Sequence, residues 1–164
     1  MRIAIAGKIC SGKSYIANHI ANNIDGTIYS FGSGVKKYCK EIFNMEYKDR
    51  KLLQDFAQKM KEIDNDVWIK YTINEINKNK TGHILLDDLR FPNEASYLIS
   101  EGFTIIRLII GDNLQKQRIM ETYPENYNEH LNRLGDVSES YIHLLPFHYN
   151  IDIYENNEDQ VIKR

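Results

Sequence analysis

The chain of 164 residues holds only two cysteines, Cys10 and Cys39, too few for a disulfide framework, which points to a reducing compartment. No apolar run approaches the length a bilayer-spanning helix needs, and no basic-then-apolar leader precedes the first apolar segment. Neither sign of charge is in excess. Against 23 acidic residues stand 21 basic ones, so no global field draws the chain to DNA or to an anionic membrane. Internal repeats, low-complexity blocks and domain-splitting linkers are missing as well. These absences exclude a secreted disulfide-stapled fold, a membrane protein, a disordered tail and a charge-driven nucleic-acid binder. A single cytoplasmic domain over 1–164 is expected, with neither a nucleic-acid nor a membrane partner.

What is present is enough apolar sequence, 42%, to bury one core. Residues 2–6 read as a strand buried on both faces, and Ile16, Ala17, Ile20, Ala21 and Ile24 recur at helical spacing up to a stop at Asp25-Gly26. Thr27 to Phe31 reads as a second strand. Three helical stripes follow up to Lys80: Val35, Cys39, Ile42 and Phe43; Leu52, Leu53, Phe56, Ala57 and Met60; Ile69, Ile73 and Ile76. Residues 83–88 and 103–110 read as strands three and four, with a helix between Pro92 and Gly102 and another from Gly111 to about Met120. The polar stretch 122–137 has no core stripe and reads as a mobile connection. A short helix over 138–144 and a fifth strand over 149–154 close the pattern. Strands alternating with helices argue for a parallel α/β sheet with right-handed crossovers.

The segment Gly7-Lys8-Ile9-Cys10-Ser11-Gly12-Lys13-Ser14 fits G-x-x-x-x-G-K-[ST], between a buried strand and an amphipathic helix. In such a loop Gly7, Gly12 and Ser11 let backbone N–H groups converge on phosphate oxygens, aided by the positive end of the helix. Lys13 can bridge the β- and γ-phosphates of ATP, and Ser14 can ligate Mg²⁺. Cys10 reads as a small inert thiol inside the loop. Asp87-Asp88 at the end of strand three is the second phosphate-side element; Asp88 is taken as the Mg²⁺ carboxylate, and either member of the pair fits that position. A guanine clamp of the form Asn-Lys-x-Asp is absent, since Asn77-Lys78-Asn79-Lys80 lacks the closing Asp.

Asp88-Leu89-Arg90-Phe91-Pro92-Asn93-Glu94-Ala95 resembles the D-V-R-F-P-N-E-A signature of the deoxynucleoside monophosphate kinases of phages and large DNA viruses. Further blocks resemble that family in order along the chain. They are Ser30-Phe31 with Lys36, the segment Arg50 to Phe56 (R-x-L-L-Q), the segment Ile63 to Trp68 (I-D-P-D-V-W), and Ser138-Glu139. Ala57, Lys61 and Asn65 stand where the family pattern has Gly, Arg and Pro.

The resemblance implies a three-layer P-loop sandwich with five parallel strands in the order 2-3-1-4-5. An acceptor-binding helical region over about 32–80 and a lid over about 112–137 would belong to it. It also implies ATP and Mg²⁺ as cofactors, and γ-phosphoryl transfer to a deoxynucleoside 5′-monophosphate. Lys13 and Arg90 would then act on the transferring phosphoryl, with Arg118 and Arg133 as lid arginines over ATP; an arginine so placed is worth roughly 10³–10⁵ in rate. Lys36, Arg50, Gln54, Trp68, Arg90 and Glu139 would bind the acceptor. For Trp68 a core position is the equal alternative, and for Arg107, inside an apolar strand, a carboxylate partner and a cleft position both stand. Another small acceptor, such as dephospho-coenzyme A, and a non-kinase ATPase are the rival functions. Homodimerisation is left open.

Overall fold

In the computed structural model, which describes residues 1–78, 82–135 and 137–154, the chain forms two compact units. One comprises Met1–Ile28 with Gly82–Arg164, the other Tyr29–Thr81.

The first unit is built on a five-stranded sheet: β1 (Arg2–Gly7), β2 (Gly26–Tyr29), β3 (His83–Leu89), β4 (Thr104–Ile110) and β5 (Tyr149–Ile153). Its order is β2-β3-β1-β4-β5, as the resemblance implies, and β1 runs parallel to both β3 and β4. As the central strand, β1 is buried from Ile3 to Gly7, which is why its sequence is a continuous apolar run rather than an alternating one. Helix α1 (Lys13–Ile24) lays Ile16, Ala17 and Ala21 against Ile3, Ile5, Leu85 and Leu108. A single Ile buried as Ile5 is contributes about 1.5–3 kcal/mol.

The end of α1 falls where the sequence places it, for a different reason. Asp25 itself takes the left-handed turn, with φ 52° and its N–H on the Ala21 carbonyl. Gly26 is the first residue of β2, and a Cβ there would stand 2.7 Å from Leu85 Cδ1 and 3.3 Å from Ala21 Cα. The glycine is required by close approach of helix and sheet. Strand β2 also ends earlier than expected, because Phe31 already opens α2 (Phe31–Phe43) after one extended residue, Ser30, whose carbonyl accepts from the Ser33 N–H and hydroxyl.

After β3 come α5 (Pro92–Ser100), β4 and α6 (Asp112–Thr122). The stretch expected to be a mobile connection contains a helix, α7 (Tyr127–Asn132), with the buried His130 stacked on Tyr123 at 3.9 Å. One aromatic stack and turn bonds such as Glu129 N–H to the Asn126 carbonyl order this stretch, so no aliphatic periodicity announces it. A 3-10 turn (Arg133–Gly135), α8 (Val137–Ser140) and a second 3-10 turn (Tyr141–Leu144) lead to β5. Among the described residues Arg107 makes no ion pair with a carboxylate. It donates to Asn150 Oδ1 at 2.9 Å and to the His143 carbonyl at 3.1 Å, and its guanidinium lies 3.9 Å from the centre of the Phe147 ring, tying β4 to the approach of β5.

The second unit consists of α2, α3 (Arg50–Ile63) and α4 (Val67–Lys78). Val35, Cys39 and Trp68 form its core with Leu52, Leu53, Phe56, Ala57 and Met60 packed around them; the stripes predict this set apart from Trp68, while Ile42 and Phe43, expected in the first stripe, are exposed at the end of α2. Trp68 meets Phe56 edge-on and donates its indole N–H to the Ala57 carbonyl. Gly34 admits the Tyr71 ring, which a Cβ would meet at 2.6 Å. Asp49 caps α3 by accepting from the Leu52 N–H. Among the described residues no helix is long and apolar enough to cross a membrane.

Candidate active site

The loop between β1 and α1 is shaped by its small residues. At Gly7 a Cβ would sit 2.5 Å from Ser11 Oγ and 3.2 Å from the Leu108 carbonyl oxygen, so the turn closes only on a glycine. Gly12 takes φ 91°, and Cys10 takes φ 58°, a left-handed conformation uncommon for a residue with a side chain. Burial pushes the Cys10 thiol above its ordinary pKa, the opposite of an activated cysteine and in accord with the inert reading.

Lys13, the first residue of α1, returns along the loop and donates to the carbonyls of Gly7 and Lys8, both at 2.7 Å. Its pKa is lowered to about 8, first by burial and then by the neighbouring Arg90, against the opposing pull of Glu139 and Asp87. Two cations in mutual electrostatic reach are what a site for two polyanions requires.

Ser14 donates its hydroxyl to Asp87 Oδ2 at 2.8 Å. Of the two adjacent carboxylates the sequence offers beside Ser14, the one that accepts its hydroxyl is Asp87. The pairing of β1 with β3 explains why. Ala4 faces Leu86 but Ala6 faces Leu89, so β3 carries one extra residue at Asp87-Asp88, and the bulge breaks the alternation that would otherwise tell the two apart. Two hard oxygens this close suit Mg²⁺, which takes one or two protein ligands and completes its shell with water and phosphate. No cluster of three or more His, Cys, Asp or Glu residues able to hold a metal occurs among the described residues.

Arg90 follows β3 directly and is exposed. Its backbone is fixed by Glu94, whose Oε2 accepts from the Arg90 and Phe91 N–H groups at 3.0 Å each; Glu94 reaches back from the first turn of α5, opened by Pro92.

Helix α6 grips the other side of the loop. Gln115 donates to the Ile9 carbonyl at 3.0 Å, Arg118 reaches the Cys10 carbonyl at 3.5 Å, and Lys8 pairs with Asp112 at 3.2 Å. Arg118 thus lies buried beside the phosphate loop. The Arg133 side chain lies outside the described residues. Glu139, expected among the acceptor ligands, is buried against the donor loop, its carboxylate accepting from the Ile9 N–H at 3.0 and 3.2 Å.

In the helical unit, Lys36 and Gln54 are exposed and Arg50 is half-buried at the start of α3. Trp68 takes the core position, the alternative the sequence left standing. Sequence reasoning missed Gln115 and the bonds by which Glu94 holds the Arg90 and Phe91 amides, and it left Asp87 and Asp88 undivided. Gln115 was detectable in principle: with Arg118 and Ile119 it fills the inward positions of α6, where a helix of this kind is expected to be apolar.

No protein-family model matches this sequence, and no curated protein matches it. Solved structures do. TT1252 from Thermus thermophilus aligns over 97% of this chain and 91% of its own, at 14% identity and a TM-score of 0.61. Dephospho-CoA kinase from Campylobacter jejuni aligns over 99% of this chain and 94% of its own, at 18% identity and a TM-score of 0.53. With the 2-3-1-4-5 sheet and the loop of Gly7 to Ser14, these likenesses give the chain the α/β fold of the P-loop small-molecule kinases.

Proposed function

We propose that this chain is an ATP-dependent phosphotransferase whose acceptor is a deoxynucleoside 5′-monophosphate. The observation that carries the reading is the grouping of Lys13, the Ser14–Asp87 pair and Arg90 at the ends of β1 and β3, with Arg90 set in the Asp88 to Ala95 block.

The loop amides and Lys13 hold the β- and γ-phosphates of ATP. Ser14 and Asp87 would hold Mg²⁺, which when bound would neutralise charge on the phosphate oxygens. Arg90 receives the acceptor phosphate and offsets the repulsion between two polyanions, and Arg118 and Arg133 serve the donor side. The acceptor phosphate is itself an anionic nucleophile, so catalysis rests on positioning and charge neutralisation and needs no strong general base. Lys36, Arg50 and Gln54 of the helical unit are the acceptor ligands in this reading; Gln54 carries the paired donor and acceptor that a base edge requires.

The likeness to a dephospho-CoA kinase over nearly the whole chain favours a second reading, the same transfer to dephospho-coenzyme A. ADP formation from ATP–Mg²⁺, measured with each deoxynucleotide, each ribonucleotide, dephospho-coenzyme A and no acceptor, separates the two. A large rise with a deoxynucleotide is expected. A rise with dephospho-coenzyme A alone gives the second reading, and a rate equal to the no-acceptor control throughout refutes both.

A further inference from the structure

The phosphate loop carries a carboxylate of its own. Glu139, only 6% exposed, lies on the Ile9 N–H with both oxygens within 3.2 Å, from a position 130 residues further along the chain. A buried carboxylate is costly unless charge and hydrogen bonds offset the loss of water. Here the offset comes from the loop amide and from Lys13, on whose charge Glu139 acts directly. These are the groups with which a phosphate loop attracts phosphoryl oxygens. A carboxylate in that field is chemically a stand-in for a phosphate oxygen.

Resting on the donor-site reading above, we infer that Glu139 is an internal anion that competes with the donor's phosphates for the Ile9 amide and the Lys13 charge, and so sets the affinity for ATP. Binding of a triphosphate brings like charge towards a carboxylate that is buried from solvent, and Glu139 must yield the amide. The loop does not depend on Glu139 for its shape. Its carbonyls are held from α6 by Gln115 at Ile9 and Arg118 at Cys10, and Gly7 and Gly12 fix its turns. A Glu139→Gln side chain keeps an oxygen for the amide and removes the charge, so it separates competition from anchoring.

The test is calorimetric titration of ATP–Mg²⁺ into the wild-type chain and Glu139→Gln, without acceptor. Loss of one competing charge-assisted contact is expected to tighten ATP binding by about tenfold. In the wild-type chain the ¹³C resonance of the Glu139 carboxyl is expected to shift as ATP saturates the site; this second measurement decides should the variant not fold. Equal or weaker binding by a folded Glu139→Gln, or a Glu139 resonance unmoved by saturating ATP, overturns the inference while the donor site stands. Absence of ATP binding to the wild-type chain refutes the donor site and the inference together.

Discussion

Replacing Glu94 by Ala tests the link between the fold and Arg90. The Glu94 carboxylate is 6% exposed and accepts two backbone N–H groups, those of Arg90 and Phe91, at 3.0 Å each. Hydrogen bonds to a charged group contribute roughly 1.5–3 kcal/mol apiece. Arg90 is exposed and its amide can turn to water, so the Phe91 bond is lost nearly in full and the Arg90 bond in part. The sum for Glu94→Ala is about 2–4 kcal/mol, above the roughly 1 kcal/mol of an ordinary helix cap. Glu94→Gln keeps one acceptor oxygen without the charge and should cost about 1 kcal/mol. Urea unfolding at constant m-value measures both. The same loosening releases the Arg90 backbone, so Glu94→Ala should also lower kcat/KM for the acceptor, and its effect should not add to that of Arg90→Ala. A stability loss below about 0.5 kcal/mol, or fully additive kinetics, refutes the argument that Glu94 positions Arg90.

Arg90→Ala should raise the acceptor KM or lower kcat while leaving ATP affinity unchanged, and unaltered acceptor kinetics would remove Arg90 from the site. Lys13 is protonated below its native pKa of about 8 and loses its charge above it, so ATP affinity should fall as pH rises through that value. Lys13→Arg, which stays charged, should abolish that inflection; a flat wild-type profile would refute the assignment. Because the ordinary value is 10.5, the unfolded chain binds more protons between the two pKa values, and Lys13 alone makes stability rise with pH across that window. Gly26→Ala places a methyl group 2.7 Å from Leu85 Cδ1 and should cost about 1–3 kcal/mol in thermal or urea unfolding, an effect a neutral result would exclude.

The sequence by itself determined the features made by contiguous residues. The buried strand, the glycine-punctuated loop and the amphipathic α1 are adjacent in the chain, so the pattern of Gly7 to Ser14 carries its own structural context. The helical stripes of α3 and α4, and Val35 and Cys39 of α2, were legible for the same reason, since periodicity within one helix names its buried face; Ile42 and Phe43 continue the period but lie exposed. The alternation of strands and helices indicated a parallel α/β sheet, and its order was implied by the family resemblance.

Only the tertiary structure decided what depends on register or on residues far apart in the chain. A bulge in β3 chose Asp87 over Asp88 as the partner of Ser14, and no pattern of neighbouring residues encodes a bulge. Trp68 became core because Phe56 and the Ala57 carbonyl come from another helix to meet it. Gln115, Arg118 and Glu139 reach the loop from more than 100 residues away, and an exposed polar residue looks the same in sequence as one buried against a backbone amide or carbonyl. Helix α7 was not legible because its buried residue is a histidine stacked on Tyr123, and a polar residue leaves no mark in hydrophobic periodicity.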